Sequence, residues 1–290
     1  LKWNHKIGKV DYFVGGNFTF IDNEVTRFKG EERSITGTNM IQEGYPINIQ
    51  YVLAVDRILQ TDEDMLFVEK MIKDAPIDPA TGQRVNPFAS YGTPQKGDFL
   101  YKDINGDGII DDNDVYPNVY EHTNDNGNPK MTFGATIAAE WKGFDVNLLF
   151  QGGGGFNVIY FEQLQYPLCF GGNGLAHFYD RYRQDENGNW IPGKWPTTRD
   201  AGSYSVNYAR CKQTTYDASY LRLKSVEIGY TIPQHITRKF KVDRLRIFAN
   251  GYNLFTLSNL DFVDPEHPEG NYGYLYPIMR NFNFGLNLSF

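Results

Sequence analysis

The sequence predicts an all-β fold: an antiparallel transmembrane β-barrel segment with long extracellular loops. Three observations carry this expectation. Aromatic residues make up 16% of the 290-residue chain, with 20 Tyr and 21 Phe. Such residues pack well on a pleated face. Several stretches alternate apolar and polar residues over about 9–11 positions, the length a tilted strand needs to cross a bilayer. The connections between them alternate between very short and very long, as in barrels with tight periplasmic turns and large outer loops. No run of 18 apolar residues occurs, and the mean hydropathy is −0.49. This excludes a transmembrane helix but not a barrel, whose strands average out as polar.

The elements follow in order. The opening, LKWNHKIGKVDYFVGG, reads like the middle of a strand pair turning at Ile7-Gly8-Lys9, so a longer chain is expected. In VDYFVGGNFTF, Tyr12, Val14 and Gly16 share one face. MTFGATIAAEW turns at Lys142-Gly143 into FDVNLLFQG, where Phe144, Val146 and Leu148 oppose Asp145, Asn147 and Leu149. SYLRLKSVEIGYTI sets Tyr220, Arg222, Lys224, Val226, Ile228 and Tyr230 against Leu221, Leu223, Ser225, Glu227 and Gly229. LRIFANGYNLF follows the charged turn at 233–243. The chain ends on RNFNFGLNLSF, with Phe282, Phe284, Leu286, Leu288 and Phe290 on the face expected to meet lipid. A chain end normally frays. An edge strand in hydrocarbon cannot, because its backbone groups must be paired. The outer loops are expected at roughly 22–129, 155–215 and 255–278.

Within the first loop, GYPINIQYVLAVDRIL at 44–59 could be a strand, but parity favours loop. TDEDMLFVEKMIKDA at 61–75 reads as a helix capped by Thr61, with Met65, Leu66, Val68, Met71 and Ile72 on one apolar side. DINGDGIIDDND places Asp103, Asn105, Asp107, Asp111 and Asp114 at positions 1, 3, 5, 9 and 12 of a calcium loop. Gly108 falls at the sharp turn, Ile109 offers a carbonyl and Ile110 an apolar anchor. Asp at the last position shortens the bidentate reach. The alternative is an Asp/Asn/Gly turn that binds nothing. A structural Ca²⁺ ion in a segment spanning 97–115 is the expectation.

The aromatic-rich loops hold Tyr166, Trp190, Trp195 and Tyr274, the candidates for substrate or partner contact. Rings flanked by Asn and Asp suit sugar faces and protein partners alike; self-packing accounts for at least half of such rings. Cys169 and Cys211 can pair or stay free, and spacing does not decide. A net charge of −7 argues against nucleic acid. The five histidines show no zinc spacing, no GxSxG elbow occurs, and GGGG at 152–155 lacks a phosphate-cradle context. An enzyme is therefore not expected.

Taken together, GDFLYKDINGDGIIDDND, KGFDVNLLFQG, ASYLRLKSVEIGYTIP, LRIFANGYNLFTLS and RNFNFGLNLSF resemble, in order and spacing, the C-terminal barrel of SusC/RagA-type TonB-dependent transporters. The resemblance covers essentially the whole chain, 1–290. It implies the last third of a 22-stranded outer-membrane barrel of a Gram-negative bacterium, whose plug and earlier strands are not in this sequence. It also implies TonB energisation, a SusD-like surface lipoprotein as partner, glycan or oligopeptide import, and an assembly signal at Phe290. The other reading is a secreted, calcium-stabilised β module that binds glycan or protein.

Overall fold

The computed structural model describes residues 1–28, 33–36, 39–47, 50–117, 129–168, 171–199, 206–267, 273 and 275–290. Seven long strands form one antiparallel sheet in chain order. They are β1 (Lys2–Ile7), β2 (Val10–Phe20), β3 (Met131–Trp141), β4 (Phe144–Gly154), β5 (Tyr220–Thr231), β6 (Arg244–Ser258) and β7 (Asn281–Ser289). Each pairs with the next, so short turns line one edge and three long loops the other. The third loop begins at 259 rather than 255, because the β6 ladder continues to Ser258.

The pairing register divides the sheet into two chemical faces. Ile7, Val10, Trp141, Phe144, Tyr230, Ile247 and Leu286 are opposite one another in succession across all seven strands. Two rows further, so are Trp3, Val14, Ile137, Leu148, Val226, Gly251 and Phe282. The row midway between them, through His5, Tyr12, Ala139, Val146, Ile228, Ala249 and Phe284, shares this face, and the rows on either side of it belong to the other face. One runs Lys6, Asp11, Glu140, Asp145, Gly229, Phe248, Gly285; its neighbour runs Asn4, Phe13, Ala138, Asn147, Glu227, Asn250, Asn283. Period two puts every strand's apolar set on one side. Neither face is covered by a second sheet, and large apolar side chains such as Phe144, Ile228 and Phe284 stay exposed. A sandwich would bury one face of each sheet.

β5 corrects the simple alternation. The register shifts between Leu223 and Ser225, and opposite it between Leu149 and Phe150. The ladder steps over Lys224 as at a bulge, and the parity of the strand reverses there. Arg222 therefore sits opposite Gln151 and Thr256 on the polar face, while Val226, Ile228 and Tyr230 lie on the apolar one. Leu221 and Leu223 join the apolar rows through Leu257 and Phe255.

The core lies outside the sheet. Every buried apolar residue among those described belongs to the loops or to loop-flanking positions. One cluster gathers Leu53, Leu59, Val68, Phe99, Tyr101 and Ile110 with Val206 and Cys211 of the second loop. Short ladders, 51–53 with 115–117, 55–58 with 99–101 and 157–159 with 215–217, brace it. The stretch 44–59 is thus loop, as parity required. Helix α1 (Asp62–Asp74) starts on a capping box between Thr61 and Asp64. Val68 is buried and Met65 and Met71 pack beside it, but Leu66 and Ile72 face outward. The helix lies on the loop core with a narrower stripe than its composition suggests.

The hairpin at Lys142-Gly143 has both residues at positive φ, +48° and +88°, the conformation two-residue hairpins favour. A Cβ at Gly143 would also lie 2.7 Å from the Thr231 carbonyl oxygen. Gly143→Ala is expected to destabilise this edge by roughly 1–3 kcal/mol. A lower fraction of heat-modifiable, folded barrel for the full-length protein on gels would register it; an unchanged fraction would refute it.

Candidate functional site

The chemistry-bearing groups fall into three places: the acidic turn, the aromatic loops, and the polar face beneath them. In the acidic turn the backbone follows the sequence reading. Gly106 and Gly108 take φ of +78° and +81°, and Ile110 is anchored in the core. The acids are turned onto backbone amides. Asp103 accepts from Gly106 and Gly108, Asp107 from Ile109, and Asp111 from Asn113. The Asn105 side-chain oxygen accepts from Asp107 N–H. Asp114 is fully buried and accepts from Ile104 at 2.7 Å and Asp111 at 2.9 Å. Desolvation raises its pKa above the usual carboxylate range. Among the described residues no three His, Cys, Asp or Glu side chains converge closely enough to hold a metal ion. The oxygens of Asp103, Asp107 and Asp111 keep a lone pair beyond these bonds, so their donor chemistry suits Ca²⁺, whereas one oxygen of Asp114 already accepts two amides. Beside them, Asp112 accepts from the Tyr91 hydroxyl at 2.5 Å.

The aromatic loops are mostly packed on themselves. Tyr160, Phe178 and Tyr182 are buried. Trp195 sits 4.8 Å from His177, and Tyr166 lies 4.3 Å from Tyr208. Trp195 lines a cavity of about 20 Å³ with Phe99, Tyr160 and His177, room for about one water and no substrate. Burial there lowers the His177 pKa. Trp190 stacks on Tyr182 at 4.8 Å, with its other face partly open. Tyr274 lies outside the described residues, as do Cys169, Phe170 and Tyr272. Cys211 is buried, and its thiol is pushed up by desolvation. Among the described outer-loop rings Tyr179 and Tyr276 are the most open; neither spacing nor neighbours singles them out from the other loop aromatics.

Two polar networks escaped the sequence reading because both join distant segments. The buried Asp98 carboxylate accepts from Arg199 and from Asn207, tying the first loop to the second. On the polar face, buried Arg222 donates to Thr256, Asp264 and Glu266, and Lys224 donates to the same Glu266. The third loop is thereby strapped to the wall below it. Nearer the short-turn edge, Arg246 donates to Asp145 and Glu227, and Asn283 to Asn250. A Cβ at Gly229 would overlap the Arg246 guanidinium, so glycine is what lets that group lie across the sheet.

A single-layer sheet with one apolar and one polar face, tight turns on one edge and folded loops on the other is the wall of a membrane-type β-barrel. No family model matches the chain. TonB-dependent receptor P3 of Formosa agariphila is 29% identical over 213 residues, covering 69% of the chain and 20% of that receptor. TonB-dependent receptor P39 of the same organism is 24% identical over 94% of the chain and 28% of its own length. Solved structures of the RagAB peptide transporter align over the whole chain and 28% of theirs, at TM-score 0.64 and 18% identity. The RagAB peptide importer in its 'closed-closed' state aligns equally, at TM-score 0.64. In sequence the chain is similar to TonB-dependent receptors, and its fold matches part of the RagAB structures. It spans well under a third of the length of the proteins it matches.

The Arg222 strap yields a test. Arg222→Met leaves two partly buried carboxylates facing one lysine, and removing one partner of a buried pair costs about 3–5 kcal/mol. Hydrogen exchange in 259–267 is expected to accelerate while β5 and β6 keep their protection. Unchanged exchange would show that the strap does not hold the loop.

Proposed function

We propose that this chain forms part of an outer-membrane importer of a Gram-negative bacterium, energised through TonB and working with a SusD-like surface lipoprotein. Its cargo is an oligopeptide or a glycan. The observation that carries the reading is the two-faced register. The apolar rows meet lipid, the polar rows line the lumen, and the loop layer stands at the outer mouth. The similarity to TonB-dependent receptors and to RagAB supports it. Tyr166, Trp190, Trp195 and Tyr274 are the proposed contact residues, with Trp190 the most open of the described three. Phe290 continues the parity of Leu286 and Leu288 and is highly exposed; it is the proposed signal for barrel insertion. The full-length product should fractionate with the outer membrane and take up labelled oligopeptide or oligosaccharide only when TonB is present. Competition between the two cargoes assigns the class. A soluble, detergent-independent protein would sink the reading.

We also propose that Asp103, Asn105, Asp107, the Ile109 carbonyl, Asp111 and Asp114 hold a structural Ca²⁺. Two features support this: the six positions match a calcium loop, and four carboxylates share one short turn in which backbone amides are their main partners and no cationic side chain pairs with them among the described residues. Titration of the full-length protein is expected to show binding at about 10⁻⁴–10⁻³ M, as in extracellular modules. It should also slow hydrogen exchange across 97–115. The Asp103→Ala, Asp107→Ala variant should lose both effects. A loop equally protected with and without calcium would leave these acids as turn formers alone.

A further inference from the structure

The connection between β5 and β6 differs from the other two at its edge. It is a folded protrusion rather than a two-residue turn. Helix α2 (Gln234–Thr237) runs into a 3₁₀ turn at Arg238–Phe240, and Lys241 closes it at φ +60°. Thr237 is buried, and its carbonyl accepts from Val242 N–H. Asp243 N–H reaches the Ser289 carbonyl, which ties the protrusion to β7. The fold thus fixes its shape, and the residues it presents outward are of two kinds. Ile236 is 42% exposed and Phe240 75% exposed. Arg238, Lys239, Lys241 and Arg244 are also exposed, and none of them has an ion pair among the described residues. Asp243 is the one acid between Ile232 and Arg244.

The neighbouring surface repeats the pairing of aromatic and cation. The Lys142 ammonium lies 5.0 Å from the Trp141 ring. The Phe144 and Tyr230 rings meet tilted, 4.5 Å apart, beside it on the apolar face. Trp and Tyr at the end of a lipid-facing band, with Lys and Arg just beyond, occupy the interface between hydrocarbon and headgroups. We propose that the 232–244 protrusion is a seat for anionic phospholipid headgroups. Phe240 and Ile236 dip into the acyl boundary, and Arg238, Lys239 and Lys241 meet the phosphates. Two features favour lipid over a protein partner. The protrusion joins the strand ends whose apolar row carries Tyr230 and Ile247, and the four cations lack acidic partners among the described residues. A soluble segment engaging the barrel from within would meet the polar face instead.

The proposal rests on the barrel reading above, and its test separates the two. The full-length transporter is reconstituted in vesicles of phosphatidylglycerol and phosphatidylcholine and extracted in neutral detergent. Retained lipids are then counted by native mass spectrometry. The unaltered protein is expected to retain phosphatidylglycerol over phosphatidylcholine. Arg238→Gln, Lys239→Gln, Lys241→Gln should weaken that retention by up to roughly 100-fold, leaving phosphatidylcholine unchanged. Phe240→Ser should lower retention of both lipids. Equal retention of the two lipids by the unaltered protein, or full phosphatidylglycerol retention by the triple variant, would overturn the proposal. So would crosslinking of position 240 to a periplasmic protein in place of lipid. Heat-modifiability and outer-membrane fractionation of the same samples report on the barrel independently.

Discussion

Backbone hydrogen bonding sets the terms for this structure. In hydrocarbon an unpaired N–H or C=O costs several kcal/mol, so each strand must be fully laddered to its neighbours. Once it is, side chains have only two directions to point. Below the shift at Lys224 the sheet meets both conditions without a second layer: its rows run through all seven strands, mainly apolar on one side and mainly polar on the other. Tight turns at one edge follow from the same demand, since they keep adjacent strands in register. The long loops at the opposite edge are free of it, and there the chain builds structure by other means.

In the loop layer the ordinary rules of soluble proteins return. Apolar side chains from the first and second loops share one core, and Asp98 is satisfied from both sides by Arg199 and Asn207. A buried carboxylate is tolerable only when so paired. The third loop has less apolar material, with Leu260 and Val263 packed against buried Phe156, Val158 and Tyr160 of the second loop. Its charged tether at Arg222 and Lys224 compensates by fixing it to the wall.

Much of this architecture was legible in sequence, because period two is a local signal. Strand positions, the hairpin at Lys142-Gly143 and the cap at Thr61 follow from nearest neighbours along the chain, whereas the assignment of 44–59 to a loop needed the count of crossings. The reversal at Lys224 was not legible: Tyr220 to Tyr230 alternate without a flaw, and only the partners' registers expose the extra residue. The outward placement of Leu66 and Ile72 depends on where the loop core lies, which no helix period encodes. The same holds for the aromatics. A ring's type says that it will pack, whereas its partner, Tyr208 for Tyr166 or Tyr182 for Trp190, comes from a distant segment. In the acidic turn the sequence specified the backbone, with its glycines and its anchor at Ile110, more fully than the directions of the acids.

The placement of the buried residues has an evolutionary consequence. Because the loop layer carries its own core and the sheet carries none, the two parts are coupled at few points: the strand ends and the Arg222 tether. A substitution inside the loop core leaves the wall's pairing intact, and the wall's composition puts no demand on which rings the loops display. A loop layer built this way can change what it displays without disturbing the strand pairing beneath it. The membrane-facing rows, constrained by a solvent that does not change, stay fixed.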